Sequence, residues 1–174
     1  PVYARALEFL SYEDVMLVAG DEPLDELSIS GSSSFVRVGS NQPLIQNRSH
    51  KPAEGRLKGQ RELDSRASTD SAPSSFAASD LVRITPEDAG LPRHPAEALK
   101  GGDARFNAEA LRRLLIGAQE TAQDRAYRNA VLFNSAAALM IAGKTIDWSS
   151  GVEEAEEAID KGLAKALLEC WVRF

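Results

Sequence analysis

TAQDRAYRNAVLFNSAAALMIAG, residues 121–143, is the stretch that decides the fold, because it carries apolar residues on nearly every face of a predicted helix. A helix that is apolar all round is either buried inside a protein or spans a membrane. Its longest apolar run falls well short of the roughly 20 residues that a bilayer crossing requires. We therefore predict a central buried helix, most buried around Val131 to Ala142, that is capped at its C-terminus by Gly143.

Short apolar segments upstream of this helix predict strands. DVMLVAG, residues 14–20, is a continuous apolar run typical of a buried strand in a parallel sheet. LSISGSSSFVRVG, residues 27–39, alternates around a Gly-Ser turn and predicts two more strands, and DLVRIT, residues 80–85, predicts another. With the helices, these strands predict an α/β fold in which a partial mixed or parallel sheet packs against the C-terminal helices.

Helical patterns also cover both ends of the chain. DARFNAEALRRLLIG predicts a helix that begins near the capping candidates Asp103 and Asn107. The closing segment, SGVEEAEEAIDKGLAKALLECWVRF, opens with Ser150 and Glu153 at the spacing of a capping box and predicts one helix in which Cys170 is a buried, unreactive thiol. The apolar face of this helix comprises Val152, Ala155, Ile159, Leu163, Leu167 and Cys170. A short N-terminal helix is predicted to carry Val2, Ala6, Leu7 and Leu10 on one face.

The composition bounds the domain organisation. Residues about 41 to 79 are rich in Ser, Arg, Gln, Pro and Gly and poor in large apolar residues, so we predict a disordered insertion there. We expect the chain of 174 residues to form a single α/β domain fragment around that insertion. We expect a fragment because the chain starts at Pro1 and its first residues have the pattern of the middle of a helix.

Charge and cysteine content exclude several classes of protein. A net charge of −6 argues against a nucleic-acid binder, which needs clustered Lys and Arg to neutralise phosphates. No segment predicts a membrane span. The single cysteine rules out an internal disulfide and fits a reducing compartment, so we expect a cytoplasmic protein.

The strongest chemical signal is a pair of adjacent acids, Asp25 and Glu26, in EPLDELSISG, residues 22–31. They follow the end of a predicted strand, where ligands of α/β proteins bind. Mg²⁺ prefers carboxylate oxygens completed by waters and substrate phosphates, so the pair could hold this cation. The alternative is a solvated turn, which is the commoner role of paired acids in loops, and the spacing alone does not exclude it.

Other side chains with possible chemistry carry weaker signals. His50 lies in the low-complexity segment and His94 in a predicted loop, and the chain has no Cys/His cluster for zinc. GSSSF offers hydroxyl groups without a partner base. KGGD could receive an anion at a helix N-terminus, but a Gly pair more often frees the backbone to turn.

Several segments, in order, resemble the anthranilate phosphoribosyltransferases. The resemblance covers nearly the whole chain except residues about 40 to 79. It is carried by LDELSISG, ITPEDAGLP, LKGGDARFNAEALRRLL, RNAVLFNSAAALMIAGK and GVEEAEEAIDKGLAKALLE. Each motif is modest by itself, but their shared order makes the resemblance specific.

The resemblance implies transfer of phosphoribose from phosphoribosyl pyrophosphate to anthranilate, in tryptophan biosynthesis. Asp25 and Glu26 would then hold a Mg²⁺ bound to the substrate. It also implies that the family's glycine-rich phosphate loop, its basic Lys-His-Gly-Asn-Arg segment and its helical dimer-forming domain belong to a part upstream of the matched one. On this reading the chain is a C-terminal half, inactive alone, and a homodimer forms only in the full-length enzyme.

Two alternatives stay open, and no catalytic or substrate-binding residue is assigned. A non-catalytic truncated paralogue that acts as a binding module is favoured by the missing phosphate loop and disfavoured by the acid pair. A relative of the pyrimidine nucleoside phosphorylases is disfavoured by LDELS, which belongs to the anthranilate branch.

Overall fold

The computed structural model describes residues 2–10, 12–22, 24–39 and 81–174. The predicted disordered insertion therefore lies outside the described residues. The helices are α1 (Val2–Phe9), α2 (Ala104–Leu115), α3 (Ala122–Ile141), α4 (Trp148–Asp160) and α5 (Leu163–Arg173). The strands are β1 (Asp14–Gly20), β2 (Ser33–Gly39) and β3 (Val82–Ile84), and short 3₁₀ helices span Pro86–Ala89 and Ala96–Leu99.

The sheet is antiparallel across the described strands. β1 pairs with β2, and β2 pairs with β3, in the order β1-β2-β3. The α/β class is confirmed, but the parallel arrangement expected of DVMLVAG is wrong for these strands. A parallel pair needs a long crossover, usually a helix. The segment between Gly20 and Ser33 contains no helix and turns the chain directly back, so the two strands form a hairpin.

The predicted strand at LSIS is also wrong. The hydroxyl oxygen of Ser28 accepts hydrogen bonds from the backbone N–H groups of Ser30 and Gly31, each at 3.1 Å. Such side-chain contacts offer the backbone an alternative to a ladder of strand hydrogen bonds. Leu27 and Ile29 are nevertheless buried, so the apolar alternation in this segment reports burial of a loop.

The hydrophobic core joins the sheet to the helices through Trp148. The centroid of its ring lies 5.5 Å from that of Phe35 on β2 and 5.6 Å from that of Phe133 on α3. The prediction of a buried central helix is confirmed, and Gly143 follows α3 with a left-handed φ of 66°. The buried residues of α3 are Ala126, Arg128, Leu132, Phe133, Ala136, Ala137 and Met140.

α3 and α4 approach each other closely at Gly151. A Cβ atom added to Gly151 would lie 2.8 Å from the Cβ of Ala136 and 2.9 Å from its Cα. Cβ atoms do not come that close in folded proteins, so glycine permits this separation of the two helices. The small pair sets the depth at which Trp148, at the start of α4, enters the core.

The C-terminal helices differ from the single helix predicted. Asp147 caps α4, because its carboxylate accepts the Ser150 N–H at 2.8 Å, so the predicted box of Ser150 and Glu153 does not form the cap. Gly162, with a φ of 71°, separates α4 from α5. The predicted stripe is therefore divided: Val152, Ala155 and Ile159 are buried, whereas Leu163, Leu167 and Cys170 are exposed.

The helix α1 is confirmed, but its buried face was predicted wrongly. Ala4 is the residue that packs inward, while Val2, Ala6 and Leu10 are exposed. The start of α2 agrees with the prediction, since the Asp103 carboxylate accepts the Phe106 N–H at 2.8 Å. None of the helices in the described part of the chain has the length and apolar character that crossing a membrane would need.

Truncation of two leucines of α3 should give unequal costs. Leu132 is buried, so Leu132→Ala should lower the free energy of unfolding by about 2–5 kcal/mol. Leu139 is only half-buried, so Leu139→Ala should cost clearly less. Urea denaturation of both variants measures the difference, and equal costs would show that the core has been misplaced.

The Gly151→Ala variant should be destabilised although alanine is the better helix former. The gain in helix propensity, about 1 kcal/mol, is opposed by overpacking against Ala136, which costs about 1–3 kcal/mol. Thermal denaturation should show a lower Tm for Gly151→Ala than for wild type. Ser149→Ala, an exposed site on the same helix, is the control and should change stability by less than about 0.5 kcal/mol.

Candidate functional site

Asp25 and Glu26 lie on the loop that joins β1 to β2, and both side chains are exposed. In the described residues neither carboxylate has a hydrogen-bond or ion-pair partner among the interactions of the protein. The loop therefore presents two adjacent, uncompensated acids to solvent. Other acids of the described residues differ in this respect. Asp14, for example, forms an ion pair with Arg37.

The main chain next to the acid pair is held by Asn134 on α3. The side-chain oxygen of Asn134 accepts the Leu27 N–H at 2.9 Å, and its amide nitrogen donates to the Leu27 carbonyl at 3.0 Å. The same nitrogen also donates to the Ala130 carbonyl of its own helix at 3.0 Å. The Leu27 side chain is buried beneath this contact. One asparagine thus satisfies both backbone groups of the residue that follows Glu26.

A compact network of hydroxyl groups holds the far half of the loop. The Ser28 hydroxyl donates to a carboxylate oxygen of Glu22 at 2.5 Å, and the Ser30 hydroxyl donates to the other oxygen. The Ser33 hydroxyl accepts the Ser28 N–H at 2.8 Å. Glu22 is therefore engaged inside the loop, unlike Asp25 and Glu26. These contacts give the serines of GSSSF and its surroundings a structural role.

His94 contacts the loop through its main chain and a second asparagine of α3, Asn129, through its ring. The His94 N–H donates to the Ile29 carbonyl at 2.9 Å, and the ring nitrogen Nε2 of His94 lies 2.8 Å from the amide nitrogen of Asn129. Beside it, Arg93 makes an ion pair with Glu87 at 3.0 Å. The predicted loop histidine is thus a bridge between α3 and the acid-bearing loop.

An open pocket of about 450 Å³ lies beside the acid pair. Its wall is mainly apolar, and Glu26 and Ser135 add polar groups to it. The remaining lining residues are Leu24, Leu27, Leu99, Tyr127, Ala130, Val131, Asn134 and Ala138. Glu26 therefore lines a concave surface, which is the kind of surface where ligands bind.

The donor set of the loop fits a cation that is shared with a phosphorylated ligand. Two carboxylates supply the oxygen atoms that Mg²⁺ prefers, but this ion normally also keeps waters and substrate phosphates. Among the described residues no group of three or more His, Cys, Asp or Glu side chains is arranged to hold a metal. The pair Asp25 and Glu26 therefore suits an open site, not a closed cage made by protein alone.

The weaker sequence candidates do not join this site. His50 lies outside the described residues. In KGGD, the Asn107 side chain bonds both the N–H and the carbonyl of Gly102, each at 3.0 Å, which assigns the turn a structural role. Sequence reasoning missed Asn134, although a polar residue in the middle of an apolar helix is the signal that could have found it.

A comparison with models of protein families shows which family the chain belongs to. A family model described as the a/b domain of the glycosyl transferase family matches residues 54–165. The chain belongs to this glycosyl transferase family. The matched range includes β3 and α2 to α4, and the acid pair lies before it.

Individual relatives match over nearly the whole chain. The anthranilate phosphoribosyltransferase of Novosphingobium aromaticivorans is 42% identical over 172 residues, which are 99% of this chain and 40% of that protein. The structure of the Thermus thermophilus enzyme matches with a TM-score of 0.66 and 29% identity, covering 98% of this chain and 38% of that one. The Saccharomyces cerevisiae enzyme, solved in complex with PRPP and Mg, matches in fold with a TM-score of 0.67 and 19% identity, covering 96% and 37%.

These comparisons confirm the resemblance predicted from the motifs. They name the anthranilate branch and so disfavour the pyrimidine nucleoside phosphorylases. The chain spans about 40% of the length of the curated relatives that it matches.

The ion pair between Arg93 and Glu87 should make the stability of the fold depend on pH. Hydrogen bonds from Arg93, and then from main-chain N–H, lower the pKa of Glu87 to about 2. A lowered pKa means that this pair stabilises the fold above the ordinary value of 4.5 and that the contribution is lost as the pH falls towards 2. Arg93→Gln should return the pKa of Glu87 towards its ordinary value in an NMR titration of the carboxyl carbon.

The control for this titration removes an equal charge elsewhere. Arg125 on α3 bonds the carbonyl groups of Gln119 and Glu120 and does not contact Glu87. Arg125→Gln should therefore leave the pKa of Glu87 at its wild-type value. The same pKa in wild type and Arg93→Gln would show that the ion pair does not form in solution.

Proposed function

We propose that this chain is part of an anthranilate phosphoribosyltransferase, which transfers phosphoribose from phosphoribosyl pyrophosphate to the amine of anthranilate. The observation that carries the proposal is the 42% identity to such an enzyme over 99% of this chain. In this reaction the bond from the anomeric carbon to pyrophosphate breaks, a bond to the amine nitrogen forms, and the amine loses a proton. The reaction places the protein in tryptophan biosynthesis.

Asp25 and Glu26 are the residues that we propose to hold Mg²⁺ in this enzyme. Three features support the assignment: both carboxylates are exposed, both lack protein partners in the described residues, and both sit on a loop with a fixed main chain. When bound, Mg²⁺ neutralises charge on the leaving pyrophosphate. The protein's own contribution is to present the two acids at one place beside the pocket.

The elements that bind the phosphates are, on this proposal, supplied by the part of the enzyme that the resemblance places upstream of these 174 residues. The motifs contain neither a glycine-rich phosphate loop nor a basic segment that could cradle the sugar phosphates. We therefore propose that this chain alone binds Mg²⁺ weakly and has no transferase activity. An enzyme of the relatives' full length would supply these elements, and we propose that it is a cytoplasmic homodimer that binds no nucleic acid or membrane.

The test is a double substitution in a full-length enzyme that contains this chain. Asp25→Asn with Glu26→Gln removes both charges from exposed side chains and should leave Tm nearly unchanged. Loss of charge stabilisation around a leaving group costs about 10²–10³ in kcat. We expect a fall of that order at limiting Mg²⁺, measured by the consumption of anthranilate.

A matched control changes two other adjacent acids. Glu153→Gln with Glu154→Gln alters the net charge equally on the exposed side of α4, and should leave turnover unchanged. Wild-type kinetics for the Asp25 and Glu26 variant at limiting Mg²⁺ would mean that the acids are a solvated turn. A full-length wild-type protein without any transferase activity would instead favour the non-catalytic binding module.

A further inference from the structure

We propose that Asn134 is a positioning residue for the acid pair, because it fixes the peptide groups that set where Asp25 and Glu26 stand. This inference rests on the proposed function, since it concerns the same cation site. Asn134 would act through the main chain and would not touch the cation. Neither the family match nor the similarity of relatives assigns it a role.

The geometry of the contact is that of a two-point clamp. The amide of Asn134 accepts from the Leu27 N–H at 2.9 Å and donates to the Leu27 carbonyl at 3.0 Å. Two bonds from one planar amide define both the position and the orientation of the loop segment that they hold. The third bond, to the Ala130 carbonyl at 3.0 Å, holds the amide itself against α3.

The clamp matters because the acids have few other restraints among the described residues; before them, the Gly20 N–H donates to the Leu24 carbonyl at 3.1 Å. The carboxylates of Asp25 and Glu26 form no hydrogen bond or ion pair with described residues that would place them. Their carboxylates are therefore placed only by the backbone, and Leu27 is the first residue after them that is anchored. The hydroxyl network of Ser28 begins one residue further along and restrains the other half of the loop.

The anchor stands on α3, which has more buried residues than any other described helix. α3 carries seven buried residues, and Leu132 and Phe133 immediately before Asn134 are both in the core. Packing of α3 fixes the position of Asn134, and the amide of Asn134 in turn fixes the position of the loop at Leu27. Side chains that orient metal ligands in this way typically change metal affinity by about 10–100-fold when they are removed.

The experiment compares one substitution at two asparagines of the same helix. Asn134→Leu removes the clamp while keeping the same branched outline of the side chain. Asn129→Leu is the matched control, because Asn129 is also half-buried on α3 but contacts only the ring of His94 and forms no hydrogen bond with residues 24–27. The bond from His94 to the loop is made by its main-chain N–H, which this substitution leaves in place. Both variants are made in the full-length enzyme, and circular dichroism establishes that each is folded.

Two readouts separate positioning from a general loss of stability. The first is the Kd for Mn²⁺, used in place of Mg²⁺, measured by EPR with phosphoribosyl pyrophosphate present and anthranilate absent. Asn134→Leu should raise this Kd by about tenfold or more, and Asn129→Leu should not. The second is the Mg²⁺ concentration for half-maximal turnover, which should rise likewise while kcat at saturating Mg²⁺ is largely restored.

The outcomes distinguish this inference from the proposed function. If Asn134→Leu and Asn129→Leu shift the Kd equally, Asn134 is only a structural residue and the positioning role is wrong. If the Asp25 and Glu26 double variant leaves the Kd unchanged, the proposed cation site itself is wrong. Should Asn134→Leu fail to fold, Asn134→Ala, which also removes the amide and favours helix, provides the same comparison against Asn129→Ala.

Discussion

The close approach of α3 and α4 at Gly151 and Ala136 is the constraint on which the rest of the described structure depends. It lets α4 lie deep enough for Trp148 to contact both Phe133 and Phe35, and so it joins the two helices to the sheet in one core. A larger residue at either position would separate the helices, and the edge contacts of the tryptophan would be lost with the separation. The part of the sheet that the structure describes has three short-to-medium strands and needs this helical support.

α3 serves the core and the loop at once. On one side it packs against α4, where the buried guanidinium of Arg128 bonds Glu156 at 3.1 Å and Asp160 at 2.8 Å. One nitrogen of Arg128 has no hydrogen-bond partner in the described residues, so part of the cost of burying this charge is not offset. On the other side, Asn134 reaches the acid-bearing loop. Any shift of α3 would therefore move the loop as well.

The sequence predicted those features that depend on local chemistry. The burial of α3, the Asp103 cap and the left-handed Gly143 follow from periodicity and from single-residue preferences, and the structure has all three. The sheet pairing and the loop at LSIS were mispredicted, because Ser28 binds backbone groups that alternation alone assigns to a strand. The break at Gly162 was missed because a continuous apolar stripe looks the same whether or not one glycine adopts a positive φ.

The acid pair could be recognised in the sequence, whereas the residue that holds its loop was missed. Asp25 and Glu26 are adjacent and charged, so the chemistry they suggest is readable from the chain, whereas Asn134 lies more than a hundred residues away and contacts them only through Leu27. The fold brings these distant residues together, because α3 lies against the β1–β2 loop. An exposed carboxylate pair on an unanchored loop would spread its oxygens over many positions and would lose entropy on binding a cation. Anchoring the backbone while leaving both carboxylates free reduces that loss and keeps the oxygens available, which is the arrangement that a shared cation site requires.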